Sequence, residues 1–322
     1  MVTKFTGIYI IFINDKLTKL IFKEKKIIHK VLESLFKTYS ERVPDVKKIT
    51  NGLIKYKVIK KQEDIINDHI AFRTLGVKHL GIQSLEKIFI HHGYEKRDYY
   101  NFDKKKLNAY WYSHPDKNMP RIFISELRVN DLSTSTRKII YKYTSQVKSD
   151  PVKQLNLNSH HEIIEFLSSP LWELPSITDY DALLDESEYA SWVIYNRYYL
   201  NHYTISVHDL PKNYNNLENF NKLLVDKMNI RLNDSGGIIK VSNDGLLLQS
   251  SSVANQIMAE FSNNETKLIS GSYVEFAERK ILPKYLAIDV KNIENKHRRD
   301  GFEASNADKI FESTFTTQTL KK

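Results

Sequence analysis

The sequence predicts an α+β fold: a curved β-sheet or barrel made of two copies of a strand, helix, three-strand unit, with a helical region inserted between the copies. Two observations carry this reading. The same order of elements occurs twice, and the strands that matter alternate an apolar side with a polar one, as expected of a sheet curved around a wet interior. Thus Ile70 and Phe72 alternate with His69, Ala71 and Arg73. Tyr203, Ile205 and Val207 alternate with His202, Thr204 and Ser206, and Val274 and Phe276 with Tyr273, Glu275 and Ala277.

The elements follow in order. Gly7 to Asn14 (GIYIIFIN) is an apolar run of about eight residues, short of the roughly 20 needed to span a bilayer. It is followed by Lys-rich sequence rather than a small-residue cleavage site, so residues 1–25 are read as an extension, an edge strand or disordered. A helix begins near Lys26, with Ile28, Leu32, Leu35, Phe36 and Tyr39 on one stripe, and stops before Pro44. The first repeat, about 66–130, reads as a strand at 68–74, a helix at 84–92 closed by Gly93, and strands at 95–102, 107–113 and 121–127. An inserted helical region, about 131–200, carries capping signals at Ser159/Glu162 and Thr178/Asp181 and a third helix at 185–197, with Trp172, Trp192 and Tyr195 read as core. The second repeat, about 201–285, reads as a strand at 202–207, a helix at 217–228, short strands at 230–233, 237–241 and 245–250, and a last strand at 272–280. A carboxy-terminal loop and helix occupy 286–322, so that 26–322 form a single catalytic domain. The two copies share negligible sequence identity, so the repeat is architectural.

Composition narrows the function. The chain of 322 residues has no Cys, which removes disulfide scaffolds, thiolate metal sites and Cys nucleophiles and is compatible with the cytoplasmic location we expect. Its net charge of +9 is concentrated: residues 1–61 hold 15 Lys/Arg against 5 Asp/Glu, leaving 33 against 34 elsewhere. No aromatic platform interleaves the basic run, so neither a nucleic acid nor a membrane is an expected partner.

Three strands each carry one donor suited to a metal: His69, His202 and Glu275. A lone buried histidine is usually a hydrogen-bonded core residue. The conjunction of two imidazoles and a carboxylate, without thiolate, suits Fe(II) or Mn(II) with positions left open for substrate and oxygen, and zinc is also compatible. His208 shares a strand face with His202 but falls where the strand should end; His29, His91, His92, His160 and His161 lie on helices or at their ends. Arg73, four residues beyond His69 with small Ala71 between, points into the same space. It is either a clamp for a substrate carboxylate or a structural ion pair with Glu275 or Glu278.

The runs NDHIAFRT at 67–74, Ala109/Trp111 followed by PRIFISEL at 120–127, NHYT at 201–204, GSYVEFAERK at 271–280 and GFEASNADKIFEST at 301–314 resemble the 2-oxoadipate dioxygenase/decarboxylase family, in the same order over roughly 27–314. The resemblance implies a vicinal-oxygen-chelate-like fold related to that of hydroxymandelate synthase. It also implies an Fe(II) enzyme that converts 2-oxoadipate and O2 to 2-hydroxyglutarate and CO2 in lysine catabolism. It places the metal ligands at His69, His202 and Glu275, and substrate contacts at Arg73, His69, Ser305 and Asn306; the residue-level reading of 305–306 is a helix cap. A metal-dependent lyase or isomerase, another 2-oxo acid dioxygenase on the same scaffold, and a non-catalytic binding module remain as alternatives.

Overall fold

The computed structural model describes residues 9–13, 16–20 and 26–321. Strands β1 (Tyr9–Ile13) and β2 (Lys16–Leu20) pair antiparallel as a two-stranded ribbon. The remainder of the expected 1–25 extension lies outside the described residues. Helix α1 (Ile27–Arg42) ends as the sequence indicates, and Pro44 then opens α2 (Pro44–Lys55), where its missing N–H would have had no helical partner. No helix among the described residues is long and apolar enough to cross a membrane.

The first unit comprises β3 (Asn67–Leu75), α3 (Ile82–His91), β4 (Glu95–Phe102), β5 (Leu107–Ser113) and β6 (Arg121–Leu127). Four helices follow: α4 (Thr134–Thr144), α5 (His160–Ser168), α6 (Ile177–Glu186) and α7 (Glu188–Asn196). Ser133, Ser159, Ser176 and Ser187 cap them, each hydroxyl accepting a backbone N–H from the first turn. The α6 cap is therefore Ser176, two residues before the expected Thr178. The second unit comprises β7 (Leu200–Ser206), α8 (Leu217–Met228), β8 (Lys240–Val241), β9 (Leu247–Ser251), the hairpin β10 (Gln256–Glu260) and β11 (Thr266–Ser270), and β12 (Tyr273–Arg279). The expected strand at 230–233 is reduced to one bridge between Leu232 and Ser252, and the hairpin is an addition that the alternation of residues did not announce. Helices α9 (Ala304–Ile310) and α10 (Thr316–Thr319) close the described chain.

Eight strands form one mixed sheet in the order β4-β5-β6-β3-β7-β12-β9-β8. In each unit the first and last strands lie side by side and parallel, β3 with β6 and β7 with β12, while β3 and β7 meet antiparallel. The edges β4 and β8 do not pair with each other, so the sheet curls into a half-barrel, with α9 packed against β4, β8 and β9. Its outer face is covered by helices: Phe36 of α1 meets Tyr203 at 4.6 Å between ring centroids, Phe89 of α3 meets Phe72 at 5.7 Å, and Phe220 of α8 meets Phe276 at 5.3 Å. This leaves the inner face of the β3, β7 and β12 centre to hold polar residues.

Because Phe276 points away from Glu275 on the same strand, Phe276→Ala should lower stability by about 3–5 kcal/mol while leaving the inner face in place. Urea unfolding checks this; a loss under about 1 kcal/mol would mean that α8 is not anchored by this contact.

Candidate metal centre

The antiparallel seam brings the two expected histidines together. Register sets Ala71 beside His202 and His202 beside Tyr273, with Thr204 beside Glu275 one pleat further along. His69 Nε2 lies 3.4 Å from His202 Nε2 and 3.4 Å from Glu275 Oε1, and His202 Nε2 lies 3.0 Å from Glu275 Oε2. All three side chains are buried, and their donor atoms lie within 4.8 Å of one another. Donors held about 2.1 Å from a common ion stand about 3.0–3.4 Å apart, so this triangle fits one face of a coordination polyhedron.

The far side of each ring supports the same reading. His69 Nδ1 contacts Asp68 Oδ1 at 2.8 Å and His202 Nδ1 contacts Asn201 Oδ1 at 3.0 Å. Protons on both Nδ1 atoms leave the Nε2 lone pairs aimed into the triangle, as a metal requires. Strict alternation would turn Asp68 and Asn201 to the outer face. Each sits at a register shift of the β3/β7 pairing, one between Asn67 and Ile70 and one between Ala71 and Phe72, and such bulges re-aim side chains. The repeated Asx-His pair, Asp68-His69 and Asn201-His202, was the signal available in the sequence.

Electrostatics keeps the site anionic. Burial pushes the Glu275 carboxyl up, but the His69 and His202 imidazoles outweigh it and hold the group well below the usual carboxylate range. Gln249 Nε2 donates to Glu275 Oε1 at 2.6 Å, and Asn306 Nδ2 in turn donates to Gln249 Oε1 at 3.1 Å. Asp68, buried yet held well below the usual range by Arg279 and Arg121, takes two bonds from Arg279, Nε to Oδ2 at 2.6 Å and Nη2 to Oδ1 at 2.8 Å. Arg279 Nη1 also donates to the Gly301 carbonyl at 2.7 Å. Gly301 turns with φ +69°, a conformation suited to glycine, and delivers Phe302 edge-on to the His69 ring at 4.7 Å.

Arg73 lines the same cavity as His69, His202 and Glu275. The ion pair with Glu275 or Glu278 that the sequence left open is not formed: Glu278 instead accepts from the Leu217 N–H. Arg73 is 1% exposed and has no carboxylate within ion-pair distance among the described residues. Its Nη1 donates to Thr314 Oγ1 at 2.9 Å and its Nη2 to the Phe311 carbonyl at 3.0 Å, while Nε has no partner. The Tyr189, Trp192 and Phe311 rings surround it at 5.1–5.7 Å. The two remaining expected contacts divide. Asn306 is buried behind Gln249, whereas Ser305 is exposed within α9 and does not line the cavity; nor does the pair cap the helix, whose cap position is Glu303. His208 is buried in the turn after β7, bonded to Ser206 and to the Arg279 N–H, and takes no part in the cluster.

A half-barrel with a buried two-histidine, one-carboxylate cluster on its inner face, able to hold a metal ion, is a fold of the vicinal-oxygen-chelate type. Comparison with known proteins narrows it: the family model described as 2-oxoadipate dioxygenase/decarboxylase matches residues 31–289, and this chain belongs to that family. The chloroplastic 2-oxoadipate dioxygenase/decarboxylase of Arabidopsis thaliana is 40% identical over 305 residues, 91% of this chain and 78% of the relative. The chloroplastic/amyloplastic one of Oryza sativa subsp. japonica is 40% identical over 303 residues, 91% of this chain and 80% of the relative. The crystal structure of hydroxyglutarate synthase from Oryza sativa in complex with 2-oxoadipate superposes with a TM-score of 0.82 at 40% identity, covering 91% of this chain and 94% of that chain. The expected cytoplasmic location is overturned by these relatives, whose names place them in plastids; absence of Cys speaks only of redox chemistry, which does not distinguish these compartments.

Asp68→Asn should weaken metal binding about 10–100-fold and lower stability by about 3–5 kcal/mol, because Arg279 loses its buried counter-charge. Chelator competition and thermal unfolding measure the two effects. Unchanged metal affinity would show that Asp68 serves only the fold.

Proposed function

We propose that this chain is an Fe(II)-dependent dioxygenase/decarboxylase converting 2-oxoadipate and O2 to 2-hydroxyglutarate and CO2, a step of lysine breakdown. The observation that carries the substrate assignment is the buried, carboxylate-free Arg73 guanidinium in the cavity that also holds the His69, His202 and Glu275 donors. A buried charge without a partner is costly, and an anionic ligand offsets that cost. The names of the family and of the rice complex support the same acid.

His69, His202 and Glu275 would hold the iron, and bound iron supplies a Lewis-acidic centre with positions open to a 2-oxo acid and to oxygen. The chain's own residues then determine what reacts. Arg73 would grip the carboxylate far from the oxo group, its hydrogen bonds to Thr314 and Phe311 fixing the guanidinium plane. The Phe123, Phe302 and Phe311 rings that line the cavity would exclude water around the substrate chain, while Tyr189 and Trp192 pack around the guanidinium. Held at its far end, the five-carbon fragment left by CO2 loss stays beside the reacting centre, which favours its own hydroxylation over release. One O2 supplies both oxygen atoms needed: 2-oxoadipate and O2 together contain the atoms of 2-hydroxyglutarate and CO2.

Protein loaded anaerobically with Fe(II) should take up one O2 per CO2 released from 2-oxoadipate, without a second organic substrate. Product formation with a flat oxygen trace would instead support a lyase or isomerase. Arg73→Met should retain iron but lose on the order of 10²-fold or more in kcat/KM, the scale of a buried charged hydrogen bond. Equal loss of iron would count against a substrate role for Arg73.

A further inference from the structure

Tyr273 lies in the wall of the same cavity, fully buried, and its hydroxyl has no hydrogen-bond partner among the described residues. Its nearest polar groups are Arg73 and Ser313, which interact with it weakly but lack the distance and angle of a hydrogen bond. Every neighbouring hydroxyl on these elements is engaged: Tyr189 with Thr74 N–H and Ser125, Thr314 with Arg73, and Ser313 with Ser251 and the Ile310 carbonyl. Leaving a buried phenol unpaired costs stability, so this one is conspicuous. The unpartnered Nε of Arg73 belongs to the same region.

Strand direction says which end of the substrate Tyr273 faces. β12 runs antiparallel to β3 across β7, so the step from Glu275 back to Tyr273 and the step from His69 on to Arg73 lead toward the same end of the cavity. Two residues of strand cover about 6.6 Å, so the phenol reaches beyond the metal donors toward the guanidinium. The ring itself is fixed against His202, with centroids 4.8 Å apart, and its backbone carbonyl accepts the Tyr39 hydroxyl.

We infer that Tyr273 is a specificity-determining residue whose hydroxyl, with Arg73, binds the far carboxylate of a dicarboxylic 2-oxo acid and selects it over a 2-oxo monocarboxylate of the same length. This deepens the proposed function and rests on it. The phenol is a neutral donor and the guanidinium a charged one, so the carboxylate receives bonds on both oxygens. A monocarboxylate places a methyl group there and leaves both donors unpaired, which is the strongest form of rejection a small pocket has.

The test compares Tyr273→Phe with wild type, Fe(II)-loaded and anaerobic, binding 2-oxoadipate and 2-oxohexanoate by calorimetry. The expected result is about tenfold or greater weakening for 2-oxoadipate, little change for 2-oxohexanoate, and unchanged iron content. Without ligand, the variant should melt close to wild type, because the deleted hydroxyl makes only weak contacts with Arg73 and Ser313. Equal weakening for both acids, no weakening for 2-oxoadipate, or a ligand-free melting point lowered by several degrees each overturns the assignment. If wild type consumes O2 with 2-oxoadipate while the variant keeps full discrimination, the enzyme function stands and this role for Tyr273 falls. If wild type binds neither acid, both fall together.

Discussion

One buried anion organises the centre of this molecule: the Glu275 carboxylate, set against two imidazoles from different repeats. A charge this deep is tolerable only with opposite charge and hydrogen bonds around it. The antiparallel seam between β3 and β7 sets the His69 and His202 rings against this carboxylate, so that a cation shared by all three would supply the charge, and Gln249, held by Asn306, supplies a hydrogen bond. Removing the seam would part His69 on β3 from His202 and Glu275 on the β7/β12 pair. The half-barrel is therefore best understood as the device that lets residues 69, 202 and 275 share one point.

Behind the cluster, the Asp68 and Arg279 pair ties the His69 ring to the loop that carries Phe302. Ligand geometry and cavity closure are thus mechanically linked through a buried ion pair. Such pairs add little net stability relative to a well-packed apolar core, but they fix a geometry. Arg73 lies at the other extreme, a buried cation with hydrogen bonds but no counter-ion. The first charge is satisfied within the fold, whereas the second, in the proposed function, meets the carboxylate of a ligand.

Much of this was legible before any coordinates. Period-two alternation put His69 with Arg73, and the polar side of 273–279 put Glu275 inward, because such patterns report the face of a strand directly. The second-repeat helix expected at 217–228 forms there, with Asn216 capping its first turn and Asn229 turning left-handed at its end. What escaped were features in which chain geometry overrides alternation. The two bulges turn Asp68 and Asn201 toward the histidine rings they should face away from. The β10 and β11 hairpin leaves Met258 and Leu268 exposed and so lacks a clean buried face. Ser305 lies on the exposed side of α9 and its neighbour Asn306 turns inward, because a motif match does not say which side of a short helix faces the cavity.

The most direct test of the account is a crystal structure of the anaerobic Fe(II) protein with 2-oxoadipate. The account requires iron bound by His69 Nε2, His202 Nε2 and a Glu275 oxygen, with the far carboxylate of the acid against the Arg73 guanidinium. Iron ligated elsewhere, or a substrate whose far carboxylate points away from Arg73, would contradict it.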